Sequence, residues 1–170
     1  FGGGMNSIVF QELRETRGLA YNANAFYVTP PKLHNPEYTL MHIISQNDTM
    51  MDCINVFKEI TDKLPANDAA LDIAKQSLMK SIAANRITKY NLITTYLYNK
   101  ERGIDYDINK PLYEEIPSLT MQDVVNFEQK NIAGKPLHYI ILGDEKELDM
   151  KALEKVGPVK KLTLEQIFGY

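Results

Sequence analysis

Apolar positions change their period along the first part of the chain, and the changes mark out elements. Met5, Ile8, Val9, Phe10 and Leu13 fall at roughly helical spacing with Gly18 as a stop. That predicts an amphipathic helix over residues 5–17, with Glu12, Arg14, Glu15 and Arg17 on its charged face. Tyr21 to Thr29 is rich in aromatic and small residues and ends at Pro30 and Pro31, and Tyr38 to Gln46 follows as a second such run. Both read as strands. The link Pro30–Glu37 holds three prolines and is too long for a two-residue hairpin turn, so it reads as a surface loop.

The period then becomes helical again. Met50, Cys53, Ile54, Phe57, Ile60 and Leu64 recur every three or four residues, with Thr49 and Asp52 spaced as a capping box and Pro65 beyond the end. Asn67 or Asp68 caps a longer helix in which Leu71, Ala74, Leu78, Ile82 and several alanines offer a narrow face, predicted to pack closely on the preceding helix as a hairpin. A third helix spans about Tyr90 to Arg102 and stops at Gly103; Thr120 and Asp123 cap a fourth that ends near Gly134. Between these two, Asp105 to Pro117 reads as polar and irregular. Leu137 to Leu142, bounded by Pro136 and Gly143, has the form of a buried strand, and Leu148 to Tyr170 reads as a short helix, a strand and a final turn.

Strands followed by helices in this order predict an α+β fold, a small mainly antiparallel sheet with helices packed on one face. With three or four strands on offer, the sheet is expected to be incomplete, its missing strand lying upstream of Phe1. The opening Phe1-Gly2-Gly3-Gly4 shows neither an initiator Met nor the regions of a signal peptide, so the chain is expected to be a fragment of a longer gene.

Composition narrows the partners. The 170 residues, 44% hydrophobic and 24% charged, suit one globular domain over 1–170. Nineteen Lys and Arg stand against 22 Asp and Glu, a net charge of -3 with no basic block, which argues against nucleic acid. No run approaches the roughly 18 apolar residues of a membrane span. Cys53 is the only cysteine, so neither an intramolecular disulfide nor a cysteine-based metal site can form. On the apolar stripe of its helix it reads as core packing.

For metal chemistry the residues to test are His34, His42 and His138. The segment His34-Asn35-Pro36-Glu37-Tyr38 approaches the inverted zinc motif H-x-x-E-H, but Tyr38 replaces the second histidine and Pro36 breaks helical spacing. His42 and His138 fall in predicted strands and read as structural. Ser7, Ser45, Ser77, Ser81 and Ser118 lack a nucleophile elbow, and Gly2 to Gly4 complete no phosphate-binding motif, which leaves them a tight turn. Asp105 with Asp107, and Glu114 with Glu115, read as solvated surface.

The segment Phe10–Tyr21, FQELRETRGLAY, is different. A helix bearing Arg14 breaks at Gly18 and becomes a strand at Tyr21, so a guanidinium and a phenol seven residues apart can be aimed at one point. Both donate well to a carbonyl oxygen or to the oxyanion of acyl transfer. The plainer reading pairs Arg14 with a nearby Glu and makes Tyr21 an ordinary strand aromatic.

GGGMNSIVFQELRETRGLAY resembles the C-terminal-half signature of the pitrilysin, or insulinase, family of zinc metallopeptidases: a Gly-rich turn, a Ser-containing helix start, L-R-E, two residues, then G-L-x-Y. The order of later elements agrees, including T-x-x-D-V at Thr120–Val124, and the closing LTLEQIFGY is similar to the end of bacterial members. The resemblance implies one of two homologous α+β halves, here expected to lack its first strand and helix, that close like a clamshell around a chamber. Zinc and its H-x-x-E-H motif belong to the N-terminal half, in the same or a separate chain. This chain lacks that motif, which implies the inactive half: no catalytic residue, no zinc ligand, and no hydrolysis by the fragment alone. Arg14 and Tyr21 match the pair that reaches bound peptide near the scissile carbonyl, Arg14 rather than Arg17 because it follows Leu13 and precedes Glu15. The implied partners are the catalytic half and a peptide substrate, in bacterial cytoplasm or periplasm. Two other readings remain open: a catalytically dead scaffold or partner subunit of the same fold, and an unrelated α+β ligand-binding domain.

Overall fold

The computed structural model describes residues 1–32 and 34–170. Strand β1 (Ala20–Val28) pairs antiparallel with β2 (Tyr38–Ser45), Ala23 opposite Ile43 and Phe26 opposite Leu40, and the described residues form no other sheet. The two-residue period sorts the faces. Ala23 and Ala25 are buried, with Met41 and Ile43 beside them, whereas Phe26, Leu40 and Ile44 on the other face are about half exposed. Helix α2 (Met50–Asp62) covers the inner face through Cys53, Val56, Phe57 and Ile60. Val9 and Leu13, both fully buried, complete this core from the segment before β1. The α+β expectation, helices on one face of a small antiparallel sheet, is met.

The segment that leads into β1 departs from a plain helix. Ser7 caps α1 (Ile8–Phe10) by accepting from the Phe10 N–H at 3.3 Å. Gln11–Thr16 then widens into a π-helical turn, and Gly18, at φ +61°, ends it in a conformation that strains any residue with a side chain. The run at 2–4 does more than turn. The Gly2 carbonyl accepts from the Ala25 N–H at 3.2 Å, and a Cβ on Gly2 would overlap the Ala25 backbone. Close approach to β1 is what demands glycine there; the turn itself is closed by Ser7 N–H to Gly4 C=O at 3.0 Å.

Beyond α2 come α3 (Asp68–Ala84), α4 (Leu92–Glu101), α5 (Asn109–Glu115), α6 (Met121–Asn131), α7 (Met150–Val156) and α8 (Leu164–Phe168). Asn67 caps α3, accepting from the Ala70 N–H, Gly103 at φ +68° closes α4, and Thr120 with Asp123 forms the expected reciprocal box on α6. Leu153 of α7 packs on Met50 and Ile54. No described helix is long and apolar enough to cross a membrane.

Five local expectations are corrected. Thr49 makes no capping box: a 3-10 turn, Asn47–Thr49, precedes α2 and turns the Thr49 hydroxyl toward backbone carbonyls instead. The predicted hairpin of α2 and α3 lacks its close packing. The alanines of α3 present little apolar surface, no α3 residue is buried, and the helix meets α5 and the following 3-10 turn instead. Asp105–Pro117 is not irregular throughout, since it holds α5 and the start of that turn, where Ile116 is buried. Leu137–Leu142 forms no strand, and Ile140 and Leu142 are fully exposed. An apolar run becomes a strand only where it pairs with a neighbour, and this one pairs with neither edge of the β1–β2 sheet. The tail strand is likewise absent, and its final turn is the helix α8.

Glu128 on α6 is 2% exposed. Gln129 donates to its Oε2 at 2.7 Å, and its Oε1 has no partner among the described residues. Burial pushes this carboxyl above the usual range, with the Gln129 hydrogen bond opposing and the charge of Asp62 adding to the rise. The folded chain therefore holds the proton more tightly than the unfolded one. The group supports the fold fully below the ordinary glutamate pKa of about 4.3, and that support is lost as pH rises through its elevated value. Glu128→Gln should flatten this dependence and raise stability at neutral pH by about 1 kcal/mol. Thermal unfolding of both forms between pH 4 and 8 checks it; a variant less stable at pH 7 than at pH 4 by the wild-type margin would refute the assignment.

Candidate functional site

Arg14 and Tyr21 are brought together. The guanidinium of Arg14, in the π-helical turn, lies 5.7 Å from the centroid of the Tyr21 ring and 5.0 Å from that of Phe10. Tyr21 is 77% exposed and the Arg14 side chain 43%, so both polar ends face solvent from one corner of the molecule. Each depends on a local irregularity. The register of β1 against β2 shifts between Ala20 and Asn22, leaving Tyr21 as the extra residue of a bulge. Bulges re-aim single side chains. A part of the plainer reading also holds, because Arg14 Nε stands 3.6 Å from Glu15 Oε1, a solvent-exposed ion pair of small energetic weight.

Arg17 has different work. Its two terminal nitrogens donate to the two carboxylate oxygens of Glu59, each at 3.0 Å, and its Nε stands 3.6 Å from Glu12. The hydrogen bonds with Arg17 hold the Glu59 carboxyl below the usual range, and Glu59 raises Arg17 in turn. Two residues on, the Leu19 carbonyl accepts from the Thr49 hydroxyl at 3.1 Å. Sequence reasoning missed these contacts with α2 and its leading turn, since 42 and 30 residues separate the partners and no local spacing announces them.

The other candidates lie apart. His34 is an exposed loop residue, and Glu37 beside it accepts from the Tyr27 hydroxyl at 2.7 Å. His42 is exposed on the outer face of the sheet, and His138 in the unpaired segment before Gly143. No three His, Cys, Asp or Glu among the described residues gather as a metal-binding group. Cys53 is buried in the core, where desolvation raises its thiol pKa. A cavity of about 240 Å³ lies between the inner sheet face and α6, with Glu128 in its lining. It is smaller than the roughly 300 Å³ at which ligand pockets begin.

A small antiparallel sheet backed by helices, with a cation and a phenol exposed at one corner, defines an α+β domain. Residues 1–78, which include that corner, match the family model of the peptidase M16 inactive domain. A crystal structure of a peptidase M16 inactive domain from Pseudomonas fluorescens superposes with a TM-score of 0.58 at 18% identity, covering 81% of this chain and 36% of the other. No curated protein matches the chain. The pattern of an inactive domain, which the resemblance to the pitrilysin family implies, is thus matched over residues 1–78, and the fold of the chain is similar to that of the solved M16 inactive domain. The chain spans about a third of the length of the solved chain it matches.

Proposed function

We propose that this domain is the non-catalytic, substrate-binding half of a zinc-dependent metalloendopeptidase, closing over peptide held at a zinc site in a separate N-terminal half. The observation that supports the reading is the Arg14–Tyr21 pair, two donors exposed side by side within the segment that matches the inactive-domain family. In this reading the other half would hold the zinc and the glutamate that supply an activated water. This chain's part is to bind and orient. The Arg14 guanidinium and Tyr21 hydroxyl donate to the peptide near the scissile carbonyl, and their hydrogen bonds strengthen as negative charge develops on the oxygen. Placing these donors on a rigid turn beforehand spares the reorganisation that flexible side chains would need.

The test is zinc content and hydrolysis of an unstructured peptide by the protein that joins this domain to its catalytic half. About one zinc per pair of halves, activity abolished by chelation, and no activity from residues 1–170 alone are the expected results. A parent with neither zinc nor activity would overturn the reading in favour of a scaffold.

A further inference from the structure

We infer that Arg17 and Glu59 are positioning residues for the Arg14–Tyr21 site, an inference that rests on the function proposed above. Only the stretch 17–19 separates the turn that carries Arg14 from the strand end that precedes Tyr21; the Gly18 and Leu19 N–H groups bond back to the Arg14 and Leu13 carbonyls at 3.1 and 2.8 Å, and its side-chain anchors come from the α2 side. Arg17 places its guanidinium fork on the Glu59 carboxylate with two bonds of 3.0 Å. Thr49, just ahead of the same helix, fixes the Leu19 carbonyl at 3.1 Å. Between these anchors lies Gly18 at φ +61°, the residue of the stretch with the widest backbone freedom. Helix α2 is itself anchored by Cys53, Val56, Phe57 and Ile60, which are packed in the main core.

The pair is poorly placed to stabilise the fold. The Glu59 side chain is 62% exposed and that of Arg17 34%, and ion pairs in water contribute little to folding. What a bidentate fork supplies is direction. It sets both the distance and the plane of the guanidinium, which a lysine cannot do. Without it the turn can pivot at Gly18, and the relative aim of Arg14 and Tyr21 is lost while the core stays intact. Displacements of about 1 Å can cost up to 100-fold in rate.

The experiment measures kcat and KM on a quenched fluorescent peptide, using the protein with both halves, for Arg17→Ala, Glu59→Gln, the double variant, and each in an Arg14→Ala background. Arg17→Ala and Glu59→Gln should each lower kcat/KM by about tenfold, with the double no worse than either, since both remove the same fork. In the Arg14→Ala background they should cost nothing further, because they act through Arg14. Thermal midpoints should match wild type, and Arg17→Lys should recover only part of the loss. Singles at wild-type kcat/KM beside an impaired Arg14→Ala would overturn this inference alone. Losses that multiply in the double variant, or that persist in the Arg14→Ala background, would assign the pair a separate role and overturn it too. A normal Arg14→Ala would overturn both this inference and the site reading.

Discussion

Arg14→Ala should lower turnover by the joined halves by about 100-fold and leave the thermal midpoint where it is. The magnitude follows from what removal of one preorganised donor costs at other acyl-transfer sites. Stability is spared because the Arg14 head is solvated and the carboxylate it meets, Glu15, is also exposed. Tyr21→Phe separates two contributions of the same pair. It keeps the ring on which the guanidinium rests, 5.7 Å from its centroid, and removes only the hydroxyl. A large rate loss in Tyr21→Phe therefore assigns the effect to hydrogen bonding, and a loss confined to Tyr21→Ala assigns it to the support of Arg14. Steady-state kinetics on a quenched peptide, beside calorimetry, checks both. Turnover near wild type in Arg14→Ala and Tyr21→Phe alike would remove this corner from the substrate path.

One residue earlier the expectation reverses. Leu13 is fully buried and joins Val9 to Cys53, Val56, Phe57 and Ile60 beneath the sheet. Leu13→Ala removes its buried methyl groups and leaves a cavity that close-packed neighbours fill only in part, a loss of about 3 kcal/mol. For a chain of this size that is a drop of roughly 10 °C in the midpoint. Denaturant or thermal unfolding measures it, and a loss under about 1 kcal/mol would mean that the π-helical turn is not anchored in the core. Leu13 and Arg14 are adjacent in sequence and opposite in consequence. The pair of variants distinguishes loss of fold from loss of site.

Much of this was legible from spacing alone where the cause is local. The stop at Gly18, the stripe of α2 and the Thr120–Asp123 box need only a handful of neighbouring residues, and each formed as expected. Elements whose existence depends on a distant partner were not legible. Leu137–Leu142 has the composition of a strand and pairs with neither edge of the β1–β2 sheet; the alanine face of α3 has the shape to pack and too little apolar area to hold it on α2. The Thr49 hydroxyl had two uses, a cap or the Leu19 carbonyl, and only the packing of Leu19 near Cys53 decides between them. At the candidate site the identities of Arg14 and Tyr21 could be read from the motif. Their mutual geometry could not, because a π-helical turn and a bulge leave no periodic signature.

The widened turn at Gln11–Thr16 has a consequence for how such a segment can vary in length. A π-helical turn holds one residue more than the α-helix it interrupts, so deleting a single position there would restore regular backbone pairing and a tidier helix. The same deletion would swing every later side chain of the turn by about 100° around the helix axis, carrying the guanidinium away from the Tyr21 ring. Local regularity and the aim of Arg14 are thus opposed at this one place. A chain that shed the extra residue would gain a regular helix and lose the direction in which the arginine points.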